Sequence, residues 1–159
     1  MKHTLLFLLL ICASSLQITV AGNRPKLTDD ELMTLVQKQT FRYFWDFAHP
    51  ESGLARERSN DRLEVATIGG SGFGVMAIIV GVERGFITRE QGAERLLKIV
   101  EFLNKADSYH GIWAHWMDGA TGKTIPFSRK DDGADLVESA FMFEGLLAAH
   151  QYFDRDTPT

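Results

Sequence analysis

The chain has 159 residues, 45% hydrophobic and 24% charged, with 17 Lys and Arg against 21 Asp and Glu for a net charge of −4. That length and balance fit one ordinary globular domain or part of a larger one, and exclude a disordered chain. An acidic balance also argues against nucleic acid and polyanionic substrates, which need basic tracks, and makes a neutral partner the better expectation.

The N-terminus, MKHTLLFLLLICASSLQITVAGN, has a base at Lys2, an apolar run from Leu5 to Ala13 and a small-residue site ending at Ala21. This predicts a secretory signal peptide over residues 1–21, cleaved after Ala21, with an apolar run too short for a membrane span. The expected destination is the periplasm or the exterior. Cys12, the one cysteine, lies in that leader, and bulky Ile11 before it argues against a lipid anchor. Without the leader, the chain has no thiol for a disulfide, a nucleophile or a zinc site.

Residues 22–27 read as a linker. Thr28 then predicts an N-cap, with acids at 29–31 and apolar Leu32, Leu35, Val36, Tyr43, Phe44 and Phe47 at helical spacing, ended by His49-Pro50. The polar stretch GLARERSNDR holds Arg56, Arg58 and Arg62 among the acids Glu57 and Asp61. Solvated ion pairs account for it, and Arg58 in a substrate cleft is the sharper alternative.

The segment TIGGSGFGVMAIIVGVERG predicts a buried helix in its second half, closed by Gly85. Its GGSGFG stretch fails both nucleotide-binding patterns: Val75 stands where G-x-G-x-x-G needs Gly, and no Gly-Lys-Ser/Thr follows. A backbone that must approach another closely is the better reading. Thr88 opens a third helix with a capping box to Gln91, and Ala93, Leu96, Leu97, Val100 and Leu103 form its expected stripe.

The period then changes. GIWAHWMDGATGKTIPFS alternates and turns at Asp118-Gly119, which predicts a hairpin with Trp113 and His115 on one side and Ile112, Ala114 and Trp116 on the other. Tryptophan there can stack on a sugar while His115 donates to hydroxyls; equally, the rings can simply clamp the hairpin to the helices.

In KDDGADLVESAFMFEG, Asp131, Asp135 and Glu138 fall on one helical face if the helix starts at about Asp132. Capping by Asp132 and a favourable helix dipole explain Asp132 and Asp135, but explain Glu138 poorly. Two close carboxylates would raise one pKa and leave a proton available. No metal or cofactor is expected: the histidines at 49, 110, 115 and 150 are widely spaced, and the acids at 131, 132 and 135 lack calcium-loop spacing.

The segments TFRYFWDFAHPESGLARERSN, IGGSGFGVMAIIVGVERGFITREQGAERL, GIWAHWMDGATGKTIPFS and DDGADLVESAFMFEGLLAAHQYF closely resemble the bacterial glycoamylase-like family, which includes endo-β-1,2-glucanases. The resemblance implies an all-α fold: part of an (α/α)6 toroid of helical hairpins, with one β-hairpin inserted before the acid-rich helix, and residues 28–159 as its N-terminal portion. Taken apart from the resemblance, a self-contained four-helix bundle remains the alternative to part of a larger domain. The resemblance further implies an exported glycoside hydrolase acting on a neutral oligo- or polysaccharide, with β-1,2-glucan the leading candidate. Asp135 and Glu138 would be the catalytic pair, and Arg58, Trp113, His115, Trp116 and Asp132 would bind substrate. Because the two acids sit one turn apart, the partner acid or base is expected beyond residue 159. A non-catalytic glycan-binding protein is the alternative, since it would keep Trp113, His115 and Trp116 without needing the acids.

Overall fold

The computed structural model describes residues 26–60 and 62–154, so the expected leader with Cys12, and most of the linker, lie outside the described residues. The chain divides into a unit of residues 1–32 and a unit of residues 33–159. In the first, Thr28 and Glu31 cap reciprocally: the Glu31 N–H donates to Thr28 Oγ1 at 3.3 Å and the Thr28 N–H to Glu31 Oε2 at 2.8 Å.

Among the described residues there are four helices and five short strands, in the order α1 (Asp29–Trp45), β1 (Val65–Thr67), α2 (Ile68–Glu83), α3 (Arg89–Leu103), β2 (Ser108–Tyr109), β3 (Ile112–Trp113), β4 (Trp116–Asp118), β5 (Thr124–Ile125) and α4 (Leu136–Tyr152). None of these helices is long and apolar enough to cross a membrane. The helical character matches expectation; the β-structure exceeds it. The β4–β5 hairpin is present, but β4 also pairs with β1, giving the antiparallel order β1-β4-β5, and β2 and β3 form a separate pair. Strands of two or three residues are too short to show alternation, and for that reason β1 and β2 were hidden in the sequence, whereas β3 was read as part of the hairpin's first strand.

The glycine-rich stretch is helix rather than a loop at a helix mouth, because α2 begins at Ile68 and contains all of it. Thr67, its N-cap, makes no capping bond with its own side chain. Instead Ser71 Oγ donates to Thr67 O at 2.6 Å and accepts from the Ala55 N–H at 2.9 Å, fastening the helix start to the segment before β1. The helix ends where expected, with Gly85 at φ 66°. In α3 the capping box of Thr88 and Gln91 forms as read.

Helix α4 packs on α2 along a narrow stripe of Ser139, Met142, Gly145 and Ala149. The approach is close. A Cβ on Gly72 would lie 2.3 Å from Phe141 O, and one on Gly145 would lie 2.6 Å from Gly72 O. Around this seam the core contains Leu54, Ile68, Val75, Ile78, Met117 and Met142, all essentially removed from solvent.

Two expected burial patterns differ from the structure, and α4 leaves large apolar residues in solvent. In α1, Leu32, Leu35 and Val36 are exposed and Phe41 is the buried residue. In α3, Leu96, Ile99 and Leu103 face inward while Leu97 and Val100 stay exposed. Helix α4 is apolar nearly all round, yet Leu136, Val137 and Leu147 lie more than 60% exposed. Apolarity alone does not select a face when small residues permit the closest packing.

Candidate active site

The acid-rich segment does not start its helix at Asp132. Residues 127–131 form a tight turn, in which the Phe127 N–H donates to Asp131 O at 2.8 Å and Ser128 bridges Asp131. Ala134 is held extended in a bridge to Ala114, and the Asp135 N–H donates to Trp113 O at 2.8 Å. Asp135 therefore becomes the N-cap, its Oδ1 accepting the N–H groups of Val137 at 2.9 Å and Glu138 at 3.0 Å. The expected single face carrying Asp131, Asp135 and Glu138 does not form, since only Glu138 lies inside the helix. Asp132 is exposed in the preceding loop.

Asp135 Oδ2 lies 3.1 Å from His115 Nδ1, with both side chains largely shielded. Partial burial pushes its carboxyl up, but the Glu138 N–H, His115 and the Val137 N–H together outweigh burial and hold it below the usual carboxylate range. This corrects the expectation of a raised pKa from paired acids as far as Asp135 is concerned. Two N–H groups and His115 face it, with an Asp131 carboxylate oxygen also within 4.8 Å.

Glu138 turns the other way. Its Oε2 accepts the Gly69 N–H at 2.8 Å and the Thr67 hydroxyl at 3.2 Å. The carboxylate thus caps the N-terminus of α2, the role that Thr67 leaves open, where negative charge is favoured. A Cβ at position 69 would lie 2.5 Å from that oxygen, so Gly69 is required for the contact.

His115 and Trp116 lie edge to face at 5.6 Å, and Phe127 joins both, 4.2 Å from the His115 ring and 4.8 Å from the Trp116 ring. The Arg62 guanidinium sits 5.2 Å from the Trp116 ring centre. Trp113 does not stand with His115 as the pleat predicted. Ala114 bridges Ala134 and the chain passes to another sheet, which interrupts the alternation. The Trp113 indole donates to Leu103 O at 3.3 Å and its ring packs on Phe143, while its backbone N–H donates to Ser139 Oγ at 3.0 Å. Arg58 pairs with its neighbour Glu57, Nη2 donating to Oε1 at 2.7 Å.

The structure therefore brings His115, Trp116 and Asp135 together, seats Glu138 one turn further on, and gives Trp113 a packing position. Phe127 and Arg62 were not singled out as binding residues: Phe127 lies within the hairpin segment just before the acids, whereas Arg62 is far from both in sequence and no local signal joins it to them. Among the described residues, ligand atoms of His115, Asp131 and Asp135 lie within 4.8 Å of one another, so these are the side chains able to hold a metal ion. His115 and Asp135 are already engaged with each other.

No protein-family profile matches the chain. It is 52% identical over 139 residues to an exo β-1,2-glucooligosaccharide sophorohydrolase (non-reducing end) of Parabacteroides distasonis, covering 87% of this chain and 19% of that protein. A solved structure from Bacteroides uniformis, provisionally named a glucoamylase, shares 82% identity at TM-score 0.83, over 85% of this chain and 33% of that one. The endo-β-1,2-glucanase of Chitinophaga pinensis, solved with sophorotriose and glucose, shares 54% identity at TM-score 0.80, over 84% of this chain and 34% of that one. The chain thus spans a fifth to a third of the length of these relatives. Over that part of their length, it is similar to β-1,2-glucan hydrolases and to bacterial glycoamylase-like proteins.

Proposed function

We propose that the chain is part of an exported glycoside hydrolase acting on a neutral β-glucan, with β-1,2-glucan the leading substrate, and that it contributes one wall of a toroidal cleft. The observation that carries this reading is the pairing of Asp135 with His115 beside the Trp116 and Phe127 rings, in a chain similar to β-1,2-glucan hydrolases. Aromatic faces suit the apolar faces of pyranose rings. Glycoside hydrolysis commonly needs two carboxyl groups flanking the bond, one of them a proton donor.

Asp135, held ionised by two backbone donors and His115, suits an acceptor: it can orient a hydroxyl or water, or stabilise positive charge developing at the sugar. Its lowered pKa makes it a poor proton donor. Glu138 presents a carboxylate that is fixed on one oxygen by α2. The acid that protonates the leaving oxygen would then come from another part of the full-length protein.

The test is hydrolysis of β-1,2-glucan by the full-length protein with products analysed by size. Asp135→Asn and Glu138→Gln are each expected to lower turnover about a hundredfold or more, in the range of acid–base and electrostatic contributions. Unchanged turnover in both variants would remove the pair from the chemistry. Binding of the glucan in calorimetry, without shorter products from the wild type, would favour the glycan-binding alternative. Export rests on the leader, and N-terminal sequencing of the secreted protein should begin at Gly22.

A further inference from the structure

The segment before β1 extends the sheet that carries Trp116. Arg56 bridges Ala66, which pairs with Met117. On either side of that row the ladder continues, with the Glu57 N–H donating to Val65 O at 2.9 Å and the Thr67 N–H to Ala55 O at 3.0 Å. Residues opposite one another share a face, and so do residues two apart along a strand. Glu57, Thr67 and Trp116 therefore stand on one face of the sheet, the face whose Thr67 hydroxyl reaches Glu138. Glu57 lies two strands from β4, roughly 10 Å at ordinary strand spacing.

Glu57 is not a solvated surface acid. Its side chain is 17% exposed while that of Arg58, which grips it, is 47% exposed. Arg58 engages both carboxylate oxygens, Nε donating to Oε2 and Nη2 to Oε1, and leaves each oxygen a further lone pair to accept with. The Arg58 hydrogen bond, with Arg62 and His115 adding their charge, holds the carboxyl below its usual range despite partial burial. Arg62 thus connects the two ends of the arrangement, lying over Trp116 and acting on Glu57.

A fixed, ionised carboxylate at the edge of an aromatic platform is an acceptor for neighbouring hydroxyls. In a β-1,2-linked glucan each internal glucose keeps free hydroxyls at C3 and C4, a vicinal pair that two carboxylate oxygens can accept together. We propose that Glu57, clamped by Arg58, is a sugar-binding residue that accepts the vicinal hydroxyls of a glucose unit lying along the Trp116 platform, away from the unit held at Asp135 and His115. The proposal rests on the glycan reading above and adds to it a second contact point and a polarity along the bound chain.

The experiment compares the full-length wild type with Glu57→Gln and Glu57→Asp, using β-1,2-gluco-oligosaccharides, and records kcat and KM separately, binding by calorimetry, and the melting temperature. Loss of a charge-assisted contact predicts about a tenfold or larger rise in KM for Glu57→Gln, with kcat and melting temperature little changed, and partial recovery in Glu57→Asp. Wild-type hydrolysis with KM unaltered in Glu57→Gln overturns the proposal while leaving the hydrolase reading intact. A lower melting temperature together with lower kcat and lower kcat/KM, to the same extent in both variants, also overturns it, by making the pair structural. Should the wild type bind the oligosaccharide without cleaving it, weaker binding by Glu57→Gln sustains the site although the hydrolase reading fails. A wild type that neither binds nor cleaves takes both down.

Discussion

The seam between α2 and α4 and the rim that holds His115, Asp135 and Trp116 are built from neighbouring residues, yet they obey different rules. At the seam the determining property is the absence of side-chain volume: Gly72 and Gly145 let two backbones meet, and Ser139 and Met142 close the stripe. At the rim it is the geometry of donors around charge: two N–H groups and an imidazole around Asp135, and a guanidinium around Glu57. A seam of this kind tolerates no added atom. The rim tolerates shape changes but not changes of charge, and the two regions should therefore fail in different measurements.

The largest expected effect belongs to the seam. Gly72→Ala places a Cβ against the Phe141 carbonyl, which is backbone and cannot rotate aside. It should cost about 3 kcal/mol, the upper part of the range for overpacking, read as a lower urea midpoint of the full-length protein. A variant of wild-type stability would mean that α4 can slide over α2, and the contrast with the rim would dissolve.

Ser139→Ala tests the junction of the two regions. The buried hydroxyl accepts from the Trp113 N–H and donates to Trp113 O at 3.2 Å. Its removal leaves a shielded N–H unsatisfied, at a cost of about 2 kcal/mol, and loosens the strand that positions Asp135. Stability and turnover should fall together, whereas a rim substitution should affect turnover first.

Asp135→Asn should have the smallest effect on stability, under about 1 kcal/mol at neutral pH, because Asn also caps helices well. Its sign with pH is fixed. The folded carboxyl titrates below the ordinary 3.8, so the stabilisation by its charge is present above that value and is lost as pH falls through the folded pKa. Urea midpoints of variant and wild type should therefore differ near pH 7 and converge below about pH 3.8. A gap that persists in acid would show that shape, not charge, is what Asp135 contributes.

The same division explains what could be read in the sequence. Caps with one candidate were legible: Thr88 with Gln91 in α3, Thr28 with Glu31, and the Gly85 stop all formed. Where Asp131, Asp132 and Asp135 competed, the choice fell to Asp135 through long-range partners, Trp113 O and the Ala114–Ala134 bridge, which local spacing does not encode. The buried stripe of α4 was hidden because its apolar residues surround the helix and its inward positions include Ser139 and Gly145. The requirement for close approach at GGSGFG was visible from its glycines; that the partner was the carboxylate of Glu138, 69 residues away, was not.

The first turns of α2 and α4 share one carboxylate, since Glu138 belongs to α4 by chain and serves the start of α2 by hydrogen bond. Anyone transplanting the acid-bearing helix into another scaffold would have to carry Thr67 and Gly69 with it. Grafted alone, Glu138 would lose the anchor that fixes its orientation, and the recipient would inherit a freely rotating acid in place of a set one.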